Sequence, residues 1–360
     1  MHYISAKIAI FCLAVFPFST SFAAFAASSG IGIKREQILS GAQKEGKLRV
    51  LSSLDPASFN AHRDAFMKKY PFIKDVRVEE MKGTAGPQKF LMELSAGRGD
   101  NWDVFDVAPE FYDDFQTFIK AYDFLAMVRD GVVKIPPQII DPKTKNIVAI
   151  ASSIHGIAYN PKIVQPEKVP NRWEDFYKPE FKGRKFMQDI RPQGFAAMAA
   201  GLGLEWAVQH ARKLRQQGPV WVRGQSRAIT AMSNGESGML HLAYYHSCIR
   251  AKEKNVTKTI ECKVIEPVPA RIQEMTAVNT RAQNPNAGLL WVEFQVSPQG
   301  QRIIDDKEPL KSSIFVPGSE LATVTQGKKL SLNDWGTFHK TEEYMKKAIE
   351  AFGFPQAELK

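Results

Sequence analysis

From Arg35 onward the chain alternates stretches of helical period with short apolar runs, and this alternation constrains the fold more than any other feature. Ile38, Leu39 and Ala42 lie at helical spacing, and Gly46 ends that segment. Residues 48–51 then read as a strand. A second helix over 57–70 has Phe59, Ala61, Ala65 and Phe66 on its apolar side and stops at Pro71. Residues 76–78 and 103–107 read as further strands. Between them lie a turn at 83–87 and a helix carrying Phe90, Leu91 and Leu94. Strands that alternate with helices imply parallel βα units and a sheet covered on both faces. Their crossovers are expected to be right-handed.

The long apolar stretch 147–159 reads as a strand crossing to a second lobe. That lobe holds Trp173-Glu174-Asp175, a strand at 185–187, the turn Arg191-Pro192-Gln193-Gly194, and a helix with Trp206, Ala207, Ala211 and Leu214. Residues 264–269 read as the return crossing. The chain then finishes in the first lobe, with a helix over 287–294 and an amphipathic helix carrying Tyr344, Met345, Ile349 and Phe352. The expected fold class is α/β: two lobes, each a covered, mostly parallel sheet, joined by crossing strands. Lobe 1 comprises 27–155 and 268–360, and lobe 2 comprises 156–267.

Residues 1–26 combine Lys7, an apolar run over 8–16 and the ending Ala24-Phe25-Ala26, the pattern of a cleaved secretory signal peptide. The run is too short to span a bilayer comfortably. The mature protein is expected to be exported to the periplasm. The ~330 residues left suffice for two lobes with separate cores. Formal net charge is +10, or +9 once Lys7 is removed, with acidic residues interleaved among the basic ones. Such dispersion argues against a nucleic-acid stripe and fits either an anionic ligand or plain solubility. Cys248 and Cys262 survive cleavage, are 14 residues apart, and can pair in an oxidising compartment.

The stretch 221–250 carries the densest chemistry. Arg223-Gly224-Gln225-Ser226 sets a glycine between a cation and an N-cap candidate, Ser226, at a helix start that favours anions. A short strand over 238–242 leads into Tyr244-Tyr245. Adjacent tyrosines where a strand gives way to a helix can aim two phenols into one cleft, at the strand end where open α/β sheets bind ligands. Packing with wet hydroxyls also explains such a pair. His241, His246 and Cys248 lack regular zinc spacing, and Ser53 and Ser226 lack a spaced His and acid for nucleophilic catalysis.

Several stretches together resemble the periplasmic solute-binding proteins of ABC importers (the extracellular solute-binding family 1), and within them the ferric-iron-binding type. They are residues 48–53 (LRVLSS), 172–176 (RWEDF), 179–184 (PEFKGR), 222–226 (VRGQS) and 297–301 (SPQGQ). The resemblance implies the type II two-lobe fold, closing on cargo by a hinge, no enzymatic activity, and delivery to a membrane permease with a separate ATPase. No G-x-x-x-x-G-K-[ST] loop is present. Iron ligands carried over from the family fall on Glu110, Tyr244 and Tyr245. The family's His position falls on Asp55, a departure that a hard ferric ion tolerates. The transported Fe3+ would come with a synergistic anion, and no catalytic cofactor is implied. The family's anion turn falls on Pro192-Gln193-Gly194-Phe195, with Arg191 just before it, and Ser53, Arg223, Gln225 and Ser226 are further candidates. The bulk of Gln193 and Phe195, and Leu242 or Ala243 where iron binders carry a polar residue, keep a second reading open. In that reading Arg191 and Arg223 grip a phosphorylated or carboxylated solute without metal. An exported enzyme and a receptor-presenting sensor are the competing classes. A monomer is expected, since a hinge needs a free cleft.

Overall fold

The computed structural model describes residues 32–81 and 85–353, so the expected signal segment and part of the turn at 83–87 lie outside the described residues. Among the described residues the strands are β1 (Lys47–Ser52), β2 (Asp75–Glu80), β3 (Val104–Val107), β4 (Val148–Tyr159), β5 (Met187–Asp189), β6 (Val220–Val222), β7 (Met239–Tyr244), β8 (Glu261–Lys263), β9 (Val268–Val278) and β10 (Leu330–Asn333). β2, β1 and β3 run parallel, and β3 meets β9 antiparallel. In the second lobe β6, β5 and β7 run parallel, and β7 meets β4 antiparallel. β4 and β9 pair with each other and join the two sheets. The expected α/β two-lobe architecture, mostly parallel within each lobe, is therefore present.

Each lobe has its own core. The first gathers Phe66, Phe105, Phe115 and Trp291, all fully buried. The helix Pro285–Gln295 is buried from Ala287 to Gln295, which explains its nearly all-apolar sequence. The second gathers Trp173, Phe176, Phe186 and Phe195. Helix boundaries follow the caps: Gly46 ends the first helix at φ 61, and Ser297 caps the helix Pro298–Lys307 by accepting from the Gly300 N–H.

Three sequence expectations need adjustment. The strand expected at 185–187 runs from Met187 to Asp189, and the return crossing is the longer Val268–Val278. The amphipathic helix Thr341–Phe352 packs Tyr344, Ala348, Ala351 and Phe352 into the second core, where Phe352 meets Phe195 with ring centres 5.0 Å apart. An apolar stripe shows that a helix packs; it does not show on which lobe.

Cys248, in the helix Tyr245–Lys254, and Cys262, in β8, form a disulfide. It ties the helix that follows the tyrosine pair to a strand hydrogen-bonded to β4. Closing a loop of this length stabilises by about 3 kcal/mol in the chain-entropy model. A Cys248→Ser/Cys262→Ser variant is expected to unfold at lower urea by that order. Equal midpoints for variant and wild type would show that the disulfide adds nothing to stability.

Candidate functional site

The C-terminal ends of parallel strands from both lobes supply the cleft residues. β1 leads to Ser53 and Asp55, β3 to Glu110, β5 to Arg191 and Gln193, and β7 ends in Tyr244. Backbone polarity and loop freedom at such strand ends favour ligand sites. Contacts between these regions link the two lobes. Gln193 Nε2 donates to Glu110 Oε1 at 3.3 Å, and Arg250 Nη1 pairs with Asp55 Oδ2 at 2.7 Å.

Tyr244 is the hub of the cleft. Its hydroxyl donates to Gln193 Oε1, and Arg271 Nη2 donates to the same hydroxyl at 3.3 Å. Its backbone N–H donates to Gln225 Oε1, whose Nε2 in turn donates to Asp189. Asp189 also holds Arg191 at 3.1 Å. Burial raises the Tyr244 pKa, while the Arg271 and Arg191 charges pull it back down. His155 packs its ring 4.7 Å from the Tyr244 ring, and His246 lies 5.5 Å from it. A narrow cavity between Tyr244, His155, Gln193, Gly194 and Gln225 continues to Asp189 and Arg191.

Tyr245 goes elsewhere. Its ring packs against the cluster of Ile154, Val268, Ala270, Leu310 and Leu321. Burial raises its pKa, and its charged neighbours are Lys252 and Glu261, whereas those that act most on Tyr244 are Arg271, Arg191 and Glu110. Tyr244 still has extended backbone, φ −61 and ψ 119, so consecutive side chains leave on opposite sides. The structure thus brings together Glu110, Gln193, Tyr244, Gln225 and Arg191, and turns Tyr245 away from them.

The other sequence candidates have different surroundings. Ser53 Oγ lies 2.6 Å from Glu274 Oε2 and 3.0 Å from Asp106 Oδ2. Arg223 is exposed. Ser226 is also exposed and is not the N-cap: the cap is Gly224 at φ 105, and Ser226 sits in the first turn. Only glycine enters that cap conformation without strain. Gly194 faces His155 and Leu242 closely, so a Cβ there would press on both. Among the described residues no three His, Cys, Asp or Glu side chains converge as a metal site.

Comparison with known proteins identifies the scaffold. The family described as bacterial extracellular solute-binding protein matches residues 103–341. The chain belongs to this solute-binding family. No curated protein matches it by sequence. Among solved structures, iron-bound HitA from Pseudomonas aeruginosa is 17% identical, with TM-score 0.62 over 85% of this chain and 99% of that one. A Trichodesmium protein (IdiA, FutA) in complex with iron and citrate is 18% identical, with TM-score 0.66 over 86% and 100%. The ferric binding protein of Campylobacter jejuni is 18% identical, with TM-score 0.64 over 86% and 100%. At these identities the likeness is one of fold.

In this solute-binding fold the sequence reading missed Arg271, His155 and Asp189, all buried and linked to Tyr244 directly or through Gln225. Arg271 and Glu274 had a signal: they are the two charges in the mostly apolar stretch 268–278. Arg271 is 6% exposed, has no carboxylate within ion-pair distance, and leaves its Nε–H without a partner. An unmet buried donor costs about 1–3 kcal/mol.

Buried imidazoles give the fold an acid limit. Burial pushes His62 down to about 4, His155 and His210 to about 3, and His241 and His246 well below their ordinary value. The unfolded chain takes up these protons near pH 6.5 and the native chain does not. Their stabilisation is therefore complete above that pH and is lost as pH falls below it. Asp106, pushed up to about 6 by burial, acts with the opposite sign: its destabilisation above pH 6 is relieved as pH falls from about 6 towards 4. Five imidazoles outweigh one carboxyl, so the net effect is a loss of stability as pH falls below about 6.5. Urea midpoints are expected to hold from pH 8 to 7 and fall steeply between 6.5 and 5. A midpoint unchanged down to pH 5 would contradict this burial.

Proposed function

We propose that the chain is the periplasmic substrate-binding component of an ABC importer, capturing ferric iron together with an oxyanion and delivering it to a permease driven by a separate ATPase. The carrying observation is that Glu110 and Tyr244, from opposite lobes, meet on the amide of Gln193. Both are hard oxygen donors suited to a ferric ion. A phenol titrates near 10, so the phenolate needs cationic help. Arg271 and Arg191 supply part of it, and the arriving metal supplies the rest. Asp55 joins as a donor by exchanging Arg250 for the metal. Donors from two lobes make cargo capture and hinge closure one event. Similar folds that hold iron, or iron with citrate, support this reading. Export to the periplasm follows the family's extracellular class, and the family is one of binders rather than enzymes.

One observation favours a second reading. With Tyr245 packed in an apolar cluster, the cleft presents one phenol beside two guanidinium groups. That balance suits a carboxylated or phosphorylated solute bound without metal.

Ferric citrate titration of chelator-stripped protein, followed in the visible, separates the two. A phenolate–iron band saturating at one iron per chain is expected. Tyr244→Phe should abolish the band and weaken iron binding at least tenfold, while Tyr245→Phe should retain it. A colourless wild-type titration would sink the ferric reading. Loss of the band in Tyr245→Phe alone would instead make Tyr245 the metal donor.

A further inference from the structure

We propose that Arg271 is the oxyanion anchor of the cleft, gripping a carboxylate or phosphate of the cargo side-on from the crossing strand, with no metal required. The inference rests on the reading of this cleft as the cargo site and adds a residue and a ligand chemistry to it.

Arg271 Nη1 donates to the Ile272 carbonyl at 3.2 Å, which fixes the plane of the guanidinium. Its Nη2 donates to the Tyr244 hydroxyl at 3.3 Å, and its Nε–H has no partner. Nε and Nη2 form the lateral edge of the guanidinium, whose two parallel N–H bonds match two oxygens of a carboxylate or phosphate. That edge lies toward Tyr244, so the phenol can donate a third hydrogen bond to the same anion. The carboxylates that act on Arg271 from a distance are Glu110 and Glu274. Glu274 is already matched by Lys311 at 3.4 Å. Glu110 accepts from Gln193 and makes no ion pair with Arg271, so the buried guanidinium has no carboxylate in contact and its lateral edge is open to one from a ligand.

The neighbouring cations are committed. Arg191 is held by Asp189 and Arg250 by Asp55. Arg223, a candidate anion grip from the sequence, is exposed, whereas Arg271 is buried and reaches the cavity through its bond to Tyr244, which lines it. His155 adds an acceptor. Its Nδ1 faces the Leu242 carbonyl, which can only accept, so Nδ1 carries the proton. The unpartnered Nε2 is then a lone pair beside the Tyr244 ring, able to accept from a ligand hydroxyl. β9 pairs with both β4 and β3, so an anion on Arg271 sits on the strand that carries the hinge.

The test is calorimetric titration of chelator-stripped protein with citrate and, separately, with inorganic phosphate, without iron. One anion is expected per chain. Arg271→Gln should weaken it at least tenfold, and Arg271→Lys, which keeps the charge and loses the paired edge, should fall between. Arg212→Gln, on the exposed face of the helix Leu204–Gln217, should match wild type. Tighter citrate marks a carboxylate cargo and tighter phosphate a phosphorylated one; either supports the anchor. Absence of heat with both anions, or equal binding by wild type and both Arg271 variants, overturns it. The phenolate–iron band is read on the same preparations. Iron colour without metal-free anion binding removes the anchor and leaves the ferric reading standing, and the reverse result does the opposite.

Discussion

The antiparallel pairing of β4 with β9 is the constraint on which the rest of the molecule depends. Both strands are long, and every residue of β4 is buried. Residues 148–154 of β4 pair β9, and residues 155–159 pair β7 and β8. Lobe 1's sheet is thus hydrogen-bonded to β9 and lobe 2's to β4, and the pairing of these two strands joins them. The register shifts at Ala149/Ala151 and Ala151/Ser152 along β9, and again at Gly156/Ala158 just after β4 passes to β7. Gly156 is required there, because a Cβ would meet the Lys263 carbonyl at 2.5 Å. Polar side chains on strands buried this deeply need partners within the protein or a ligand. Arg271 and Glu274 of β9 and His155 of β4 are among those side chains, and they tie the crossing strands to Tyr244 and Ser53 of the cleft.

Lobe 1 places a buried ionic cluster beside that wall. Lys311 lies 2.7 Å from Glu308 and 3.4 Å from Glu274, and both carboxylates hold its ammonium in the charged form. Ser53 has one hydroxyl proton and two carboxylates in reach, Glu274 and Asp106. Lys311 compensates Glu274, which leaves Asp106 dependent on Ser52, Ser53 and one backbone N–H, with Oδ1 unpartnered. That imbalance is why burial pushes Asp106 up while Glu274 keeps its charge partner. Glu308 also accepts the Asp55 N–H at 3.0 Å, so the cluster is continuous with the loop that reaches Arg250 across the cleft. Removing one member of such a cluster leaves another buried charge unpaired, which costs more than the pair itself contributes.

Much of this was legible in the sequence because it follows from local pattern. Alternating periods gave the parallel βα units, Pro71 and Gly46 gave helix ends, and the cysteine pair gave the bridge. What stayed hidden depends on distant contacts. Thr341–Phe352 has the same amphipathic signature whichever lobe it covers. Gly224 rather than Ser226 caps its helix because the chain leaves β6 with positive φ, a backbone demand that outranks a hydroxyl. Arg271 stood in plain view as a charge in an apolar strand, but its partner Tyr244 is 27 residues away and reaches it only through β4.

Tyr244-Tyr245 shows why adjacency in sequence does not give adjacency of function. β7 keeps its extended backbone through Tyr244, so the two rings part, one to the cleft and one to the apolar cluster under β9. The chemistry of the cleft then rests on Gln193. A carboxylate only accepts and a neutral phenol can donate, and an amide satisfies both at once, Nε2 toward Glu110 and Oε1 toward Tyr244. In that arrangement the phenol holds its proton. A cargo that needs the phenolate must take the place of Gln193 at the hydroxyl, whereas an anion that needs a donor can take it with the proton still in place. Gln193 therefore stands between the two chemistries open to the cleft, and which one displaces it sets the protonation state of Tyr244 on loading.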